Sequence, residues 1–240
     1  MHVKDLTPND RARWDAFVEQ CPEATFFHRA GWAEVIERAF GHDTHFVYAE
    51  RDGEIVGVLP LAHVKSRLFG NSLASTPFCV YGGLAADDEA AVEALDRHAQ
   101  DLARRLGVDY LEYRHSQRRH ADWPSKDLYF TFRKEIDPEP ENNLKAIPRK
   151  QRAMVRKGIN NGLTGEIDDG VDRFYEAYAR SVHALGTPVF SRRYFEVLCE
   201  VFGDSCEVLT ITDPKGNLIS SVMSFYFRDE VLPYYGGGTE

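Results

Sequence analysis

The sequence predicts an α/β protein built from two related units in tandem, the second incomplete. Three observations point there. An aromatic-rich series beginning at Trp14 runs through Trp32, Phe40-Gly41, a strand pair around Asp52-Gly53 and Tyr81-Gly82-Gly83. A like series beginning at Phe174 and Tyr175 runs through Tyr194, Phe202-Gly203, a turn at Lys215-Gly216, another strand pair and Tyr235-Gly236-Gly237. Within each series, helical spacing of apolar residues alternates with short extended runs, the pattern of mixed sheets flanked by helices.

The elements follow in order. Val3–Leu6 reads as a first strand and Thr7-Pro8-Asn9-Asp10 as a helix start, after which Trp14, Phe17 and Val18 share one helical face. Gly31–Phe40 is a second helix, with Trp32, Val35, Ile36 and Phe40 on one side and Gly41 as its stop. Phe46–Glu50 and Ile55–Leu61 are strands joined at Arg51–Glu54, where Asp-Gly is a strong hairpin signal. Ser75–Leu84 reads as one more extended segment, bent by Pro77. Asp87–Leu106 is a helix with a stripe of Val92, Leu95, Ala99, Leu102 and Leu106, capped by Gly107, and Tyr110–Tyr113 returns to the sheet.

The second unit repeats the scheme: helices at Asp172–Ala184 and Arg192–Phe202, then strands at Glu207–Thr212, Leu218–Phe227 and Val231–Tyr235. The crossover helix and closing strand that follow Tyr-Gly-Gly in the first unit have no counterpart before Glu240, so an unpaired sheet edge is expected near Val231–Tyr235. The acidic, proline-stiffened Asp137–Glu141 marks the boundary. The division is residues 1–136 as first unit, 137–165 as acidic linker and basic helix, and 166–240 as second unit.

A net charge of -9 argues against a broad nucleic-acid-binding face. Any anion site must be local. Lys145 to Lys157 is the candidate: Lys145, Arg149, Lys150, Arg152, Arg156 and Lys157 occur there with no acidic residue. On a helix opened by Pro148, Arg149, Arg152 and Arg156 share a face that suits phosphate or carboxylate, while Gln151, Val155 and Ile159 face the core. The bland alternative is a solvated helix paired with the acidic linker and with Glu166–Asp169. In the Tyr-Gly-Gly segments, the missing Cβ lets a ligand approach exposed amides, with core packing as the alternative for Tyr81 and Tyr235.

The four cysteines lack metal-type spacing and read as reduced core residues, and His42 and His45 do not complete a metal site. Glu112 and Arg114 share a strand face as a candidate base with its partner or a plain surface pair. No sequence pattern identifies a catalytic residue. No leader or membrane-spanning run is evident, which implies a cytoplasmic chain.

The motifs "FFHRAGW", "GVLPLAHVKSRLFG", "PFCVYGG", "AIPRKQRAMVRKG", "LGTPVF", "FGDSCEVL" and "VMSFYFRDEVLPYYGGG" together resemble the FemAB-like proteins associated with exosortase (PEP-CTERM) and exopolysaccharide systems. The resemblance spans essentially the whole chain and implies tandem acyl-CoA N-acyltransferase-like (GNAT-like) units. It implies transfer of an acyl or aminoacyl group to an amine of a cell-envelope or exopolysaccharide precursor. The donor would be acyl-CoA or aminoacyl-tRNA, with no tightly bound cofactor. Substrate-binding residues are then Arg149, Lys150, Arg152, Arg156, Lys157, Tyr81, Tyr235, Gly236 and Gly237. Two other readings stand beside it: a non-catalytic binding or assembly protein of an exopolysaccharide system, and an ordinary acyl-CoA N-acetyltransferase.

Overall fold

The computed structural model describes residues 1–66, 70–126 and 129–239. Part of the "GVLPLAHVKSRLFG" motif, residues 67–69, and Glu240 lie outside them. The elements in order are β1 (His2–Asp5), α1 (Arg11–Gln20), α2 (Gly31–Phe40), β2 (Asp43–Arg51), β3 (Glu54–Ser66), β4 (Gly70–Ser75), β5 (Ala85–Ala86), α3 (Glu89–Leu106) and β6 (Tyr110–Glu112). They continue with α4 (Pro140–Ala146), α5 (Arg149–Asn160), β7 (Thr164–Asp168), α6 (Asp172–Ala184), α7 (Arg192–Phe202), β8 (Cys206–Thr212), β9 (Leu218–Phe227) and β10 (Glu230–Gly238). Short 3₁₀ turns precede α1 and α2 and follow α7.

One sheet runs in the order β1-β2-β3-β4-β6, with β5 beside β3, and the other runs β10-β9-β8-β7. Each begins with a strand, sends the chain through two helices, and resumes with strands laid side by side in sequence order. The repeat read from the aromatic series is therefore a repeat of topology. Strand β6 lies parallel to β4, which α3 makes possible by carrying the chain back along the sheet.

The chain packs as two compact units that interleave in sequence. The first comprises Met1–Arg119, Phe190–Cys206 and Phe225–Leu232; the second comprises His120–Val189, Glu207–Ser224 and Pro233–Glu240.

In the first unit, strand alternation sends successive side chains to opposite faces. Val47 and Ala49 of β2 join Leu59, Leu61 and Leu73 beneath the α3 stripe of Ala91, Val92, Leu95, Ala99 and Leu102. On the other face Phe46 stacks on Trp14 of α1, ring centroids 5.6 Å apart. The sheet is thus covered on both sides. The β2–β3 hairpin turns at Asp52 and Gly53, with φ of 52° and 88°, the left-handed pair that suits a two-residue turn.

Helix α7 packs on α2, and there Gly31 is required: a Cβ would stand 2.8 Å from Val201 and 2.9 Å from the Phe202 ring. Around this contact Phe26 stacks on Phe225 at 4.6 Å, and Trp32 lies 5.3 Å from Phe202. Arg228 donates to the carbonyls of Val18 and Cys21, which ends α1 on a cation.

Two expectations need correction, and one strand was not foreseen. Ser75–Leu84 is not one extended segment: β4 occupies Gly70–Ser75, and an irregular stretch follows with positive φ at Thr76, Phe78 and Gly82. The sequence "GNSLAS" hides its strand because it has no β-branched or aromatic residue, while its neighbours bury it. The acidic stretch at Glu166 belongs to β7, paired antiparallel with β8. Helix α5 buries nothing, and Val155 and Ile159 are 42% and 63% exposed. Among the described residues no helix is long and apolar enough to cross a membrane.

Candidate functional site

Helix α5, in the second unit, gathers five of the sequence-predicted binding residues. Arg149, Arg152, Arg156 and Lys157 line a concave face of about 590 Å³ together with Ala153, Asn160 and Asn161. These positions recur at three- and four-residue spacing, so they form one stripe along the helix. Lys150 lies one residue from Arg149, at the stripe's flank. Pro148, at φ -52° and ψ 143°, occupies the cap position, where its missing amide proton costs nothing.

Of the acids that the bland alternative pairs with this stripe, Asp137, Glu141, Glu166 and Asp168 are engaged elsewhere. Arg173 pairs with Asp168 and with Glu166, the latter at 2.8 Å. Glu141 faces Lys145 at 3.5 Å within α4. Asp137 accepts hydrogen bonds from the backbone of Glu139 and from Asn142. Among the described residues no carboxylate pairs with Arg149, Lys150, Arg152, Arg156 or Lys157. One guanidinium is nonetheless tethered: Arg152 donates from Nη1 to the Lys145 carbonyl, 3.1 Å away, at the end of α4. Among the described residues, the stripe offers two guanidiniums with no partner, flanking one held in place.

The Tyr-Gly-Gly segments are not equivalent. Tyr81, Gly82 and Gly83 lie in the irregular stretch of the first unit. A Cβ on Gly82 would meet Thr76 Oγ1 at 2.1 Å, and one on Gly83 would meet the His115 ring at 1.9 Å. The freed volume is therefore filled by protein. His115 uses it to accept a hydrogen bond from the Leu84 amide at 2.9 Å, and Tyr81 lies 6.5 Å from the Phe27 ring.

Tyr235, Gly236 and Gly237 instead lie within β10, the edge strand of its sheet. The sequence reading assigns Gly237 to ligand approach, but helix α6 takes that space: a Cβ would be 2.5 Å from the Ala177 carbonyl. Gly236 is less crowded, its nearest contact being 3.3 Å to the Ser221 carbonyl. Tyr235 packs edge-on to Tyr178 at 5.9 Å.

Sequence reasoning missed two buried polar groupings. Thr210 donates to Asp168 at 2.8 Å and lies 2.9 Å from Ser221 Oγ, which links β7, β8 and β9 through satisfied hydroxyls. Only the strand pairing could reveal it. In the first unit His28 is buried; Nε2 donates to the Gly83 carbonyl at 3.0 Å, while Nδ1 accepts from the Thr25 amide at 3.0 Å. Burial pushes its pKa down to about 4, so the ring is neutral at ordinary pH. Glu112 and Arg114 form an ion pair at 2.9 Å, and Arg114 also holds the Cys79 carbonyl. Among the described residues no cluster of His, Cys, Asp and Glu is arranged to hold a metal.

The architecture is the α/β class expected from the sequence, with mixed sheets flanked by helices. No protein-family model and no curated protein matches the sequence. Among solved structures it is similar to FemX, with a TM-score of 0.72 over 100% of this chain and 81% of FemX, at 16% identity. That likeness is one of fold. L-PGS from Bacillus licheniformis overlaps at a TM-score of 0.49, 8% identity, and 99% and 68% coverage of the two chains. A ribosomal-protein-alanine N-acetyltransferase from Brucella melitensis overlaps at 0.36, 13% identity, and 54% and 100% coverage.

Proposed function

We propose that this chain is an N-acyltransferase or aminoacyltransferase of the FemAB kind, acting on an amine of a cell-envelope or exopolysaccharide precursor of a PEP-CTERM system. The observation that carries this reading is the likeness to FemX along the whole chain. The acid-free stripe on α5 supports it, because donors such as acyl-CoA or aminoacyl-tRNA and many envelope precursors bear phosphates. Arg149 and Arg156 grip those oxygens, and Arg152, braced against α4, sets the spacing. The amine must lose a proton to attack the acyl carbon, and the oxyanion that forms needs donors in a dry cleft.

The test is a transfer assay with labelled acyl-CoA and charged tRNA against amine acceptors, repeated for Arg149→Gln, Arg152→Gln, Arg156→Gln in combination. Charge-assisted hydrogen bonds contribute about 1.5–3 kcal/mol each, so losing two or more should raise KM by about 10²-fold or beyond. Transfer with unchanged KM removes α5 from the site. Absence of both transfer and binding with every donor would favour a non-catalytic assembly role, whereas acyl-CoA activity without tRNA dependence would select an ordinary N-acetyltransferase.

A further inference from the structure

Four cysteines at scattered positions look alike in sequence, yet the structure divides them into two kinds. Cys21 and Cys79 are buried, 2% and 3% exposed, and burial raises both thiols above their ordinary pKa. Such thiols are shielded and protonated. Cys199, near the end of α7, and Cys206, the first residue of β8, are only partly buried, and their sulfurs are 3.7 Å apart. The chain brings them together by folding the 3₁₀ turn Gly203–Ser205 back beneath α7, with Gly203 at φ 48°. Ser205 accepts a hydrogen bond from Arg29 at 3.0 Å, which pins the turn in the first unit.

We propose that Cys199 and Cys206 are a reversible thiol–disulfide site, oxidised to an intramolecular disulfide by a low-molecular-weight disulfide such as oxidised glutathione. Side-chain rotation needs to close the sulfur separation by about 1.7 Å to reach the ~2.05 Å of a disulfide bond. The hydrogen bond shared by the two sulfurs lowers the Cys199 pKa, which favours Cys199 as the attacking thiolate, while the same bond and burial raise that of Cys206.

In the first step the Cys199 thiolate attacks one sulfur of the oxidised tripeptide, its disulfide breaks, and one glutathione thiolate leaves. Cys206 then loses its proton to that thiolate or to water and displaces the second glutathione from Cys199. Two protein thiols become one disulfide as one glutathione disulfide becomes two thiols. The product staples the last turn of α7 to β8 across a short loop.

The experiment treats the full chain with oxidised glutathione, alkylates the remaining thiols and maps the peptides. Cys199 and Cys206 share the tryptic peptide from Tyr194 to Lys215, so cleavage at Glu200 is added to separate them. The expected result is one linked pair, with Cys21 and Cys79 alkylated and the link reversed by dithiothreitol. Four alkylated cysteines, a stable glutathione adduct without the internal link, or a disulfide between two chains would each overturn the proposal. Cys206→Ser should trap glutathione on Cys199, because the displacing thiol is gone. A variant that stays unmodified would remove Cys199 as the attacking group.

Discussion

His28 shows how one residue ties stability to pH. Its ring is buried with Nδ1 and Nε2 both hydrogen-bonded, and burial lowers its pKa from 6.5 to about 4. The unfolded chain therefore takes up this proton at higher pH than the folded one. The stabilisation is whole above pH 6.5 and is lost as pH falls toward 4, by roughly 3 kcal/mol in total. Urea unfolding from pH 7.5 to 4 should show this loss in the wild type and a flatter profile in His28→Gln, whatever the variant's starting stability. Parallel profiles would mean the ring does not titrate as its burial requires. Gly237 offers a second test. Adding a methyl group there drives a carbon into the Ala177 carbonyl of α6, a backbone atom that cannot swing aside. Gly237→Ala should destabilise by about 1–3 kcal/mol in chemical denaturation, and a neutral result would show that α6 and β10 can separate freely.

At the scale of elements, α5 separates folding from binding. It buries no side chain and its cations have no acidic partner among the described residues, so combined substitution of Arg149, Arg152 and Arg156 by Gln should leave the melting temperature nearly unchanged. A large loss of stability would assign the stripe a folding role. Much at this scale was legible in sequence. The hairpin at Arg51–Glu54, the cap at Gly107 and the α3 stripe follow from local chemistry, since two residues with positive φ need Asp-Gly and a periodic apolar face needs a sheet to cover it. What stayed hidden depends on neighbours. Strand β4 is a strand because β3 and β6 flank it, β7 because β8 pairs with it, and the apolar side of α5 is exposed although its spacing resembles a buried face. The candidate site was half legible: acid-free basic composition located α5, whereas the bracing of Arg152 on α4 and the filling of the space beside Gly83 by His115 are tertiary contacts that no local pattern encodes.

At the scale of the molecule, the first unit draws on three separate stretches of chain. Phe26 and Trp32 reach their packing partners Phe202 and Phe225 only across a long sequence interval. A fragment of residues 1–136 keeps its sheet and α3 but leaves that aromatic face open. It should bind a hydrophobic dye and unfold with weak cooperativity, whereas the full chain should do neither; a sharp transition at the full-chain temperature would show that α7 is dispensable to the first unit.

The same arrangement sets a schedule for synthesis. About 200 residues must be made between the emergence of Phe26 and that of Phe225, on the order of 10–40 s at ribosomal speeds. For that interval the nascent chain displays an aromatic surface awaiting its cover, and a delay in elongation after α3 lengthens the exposure. The placement of α7 and the β9–β10 turn late in the chain thus makes translation rate a determinant of how much protein reaches its folded form.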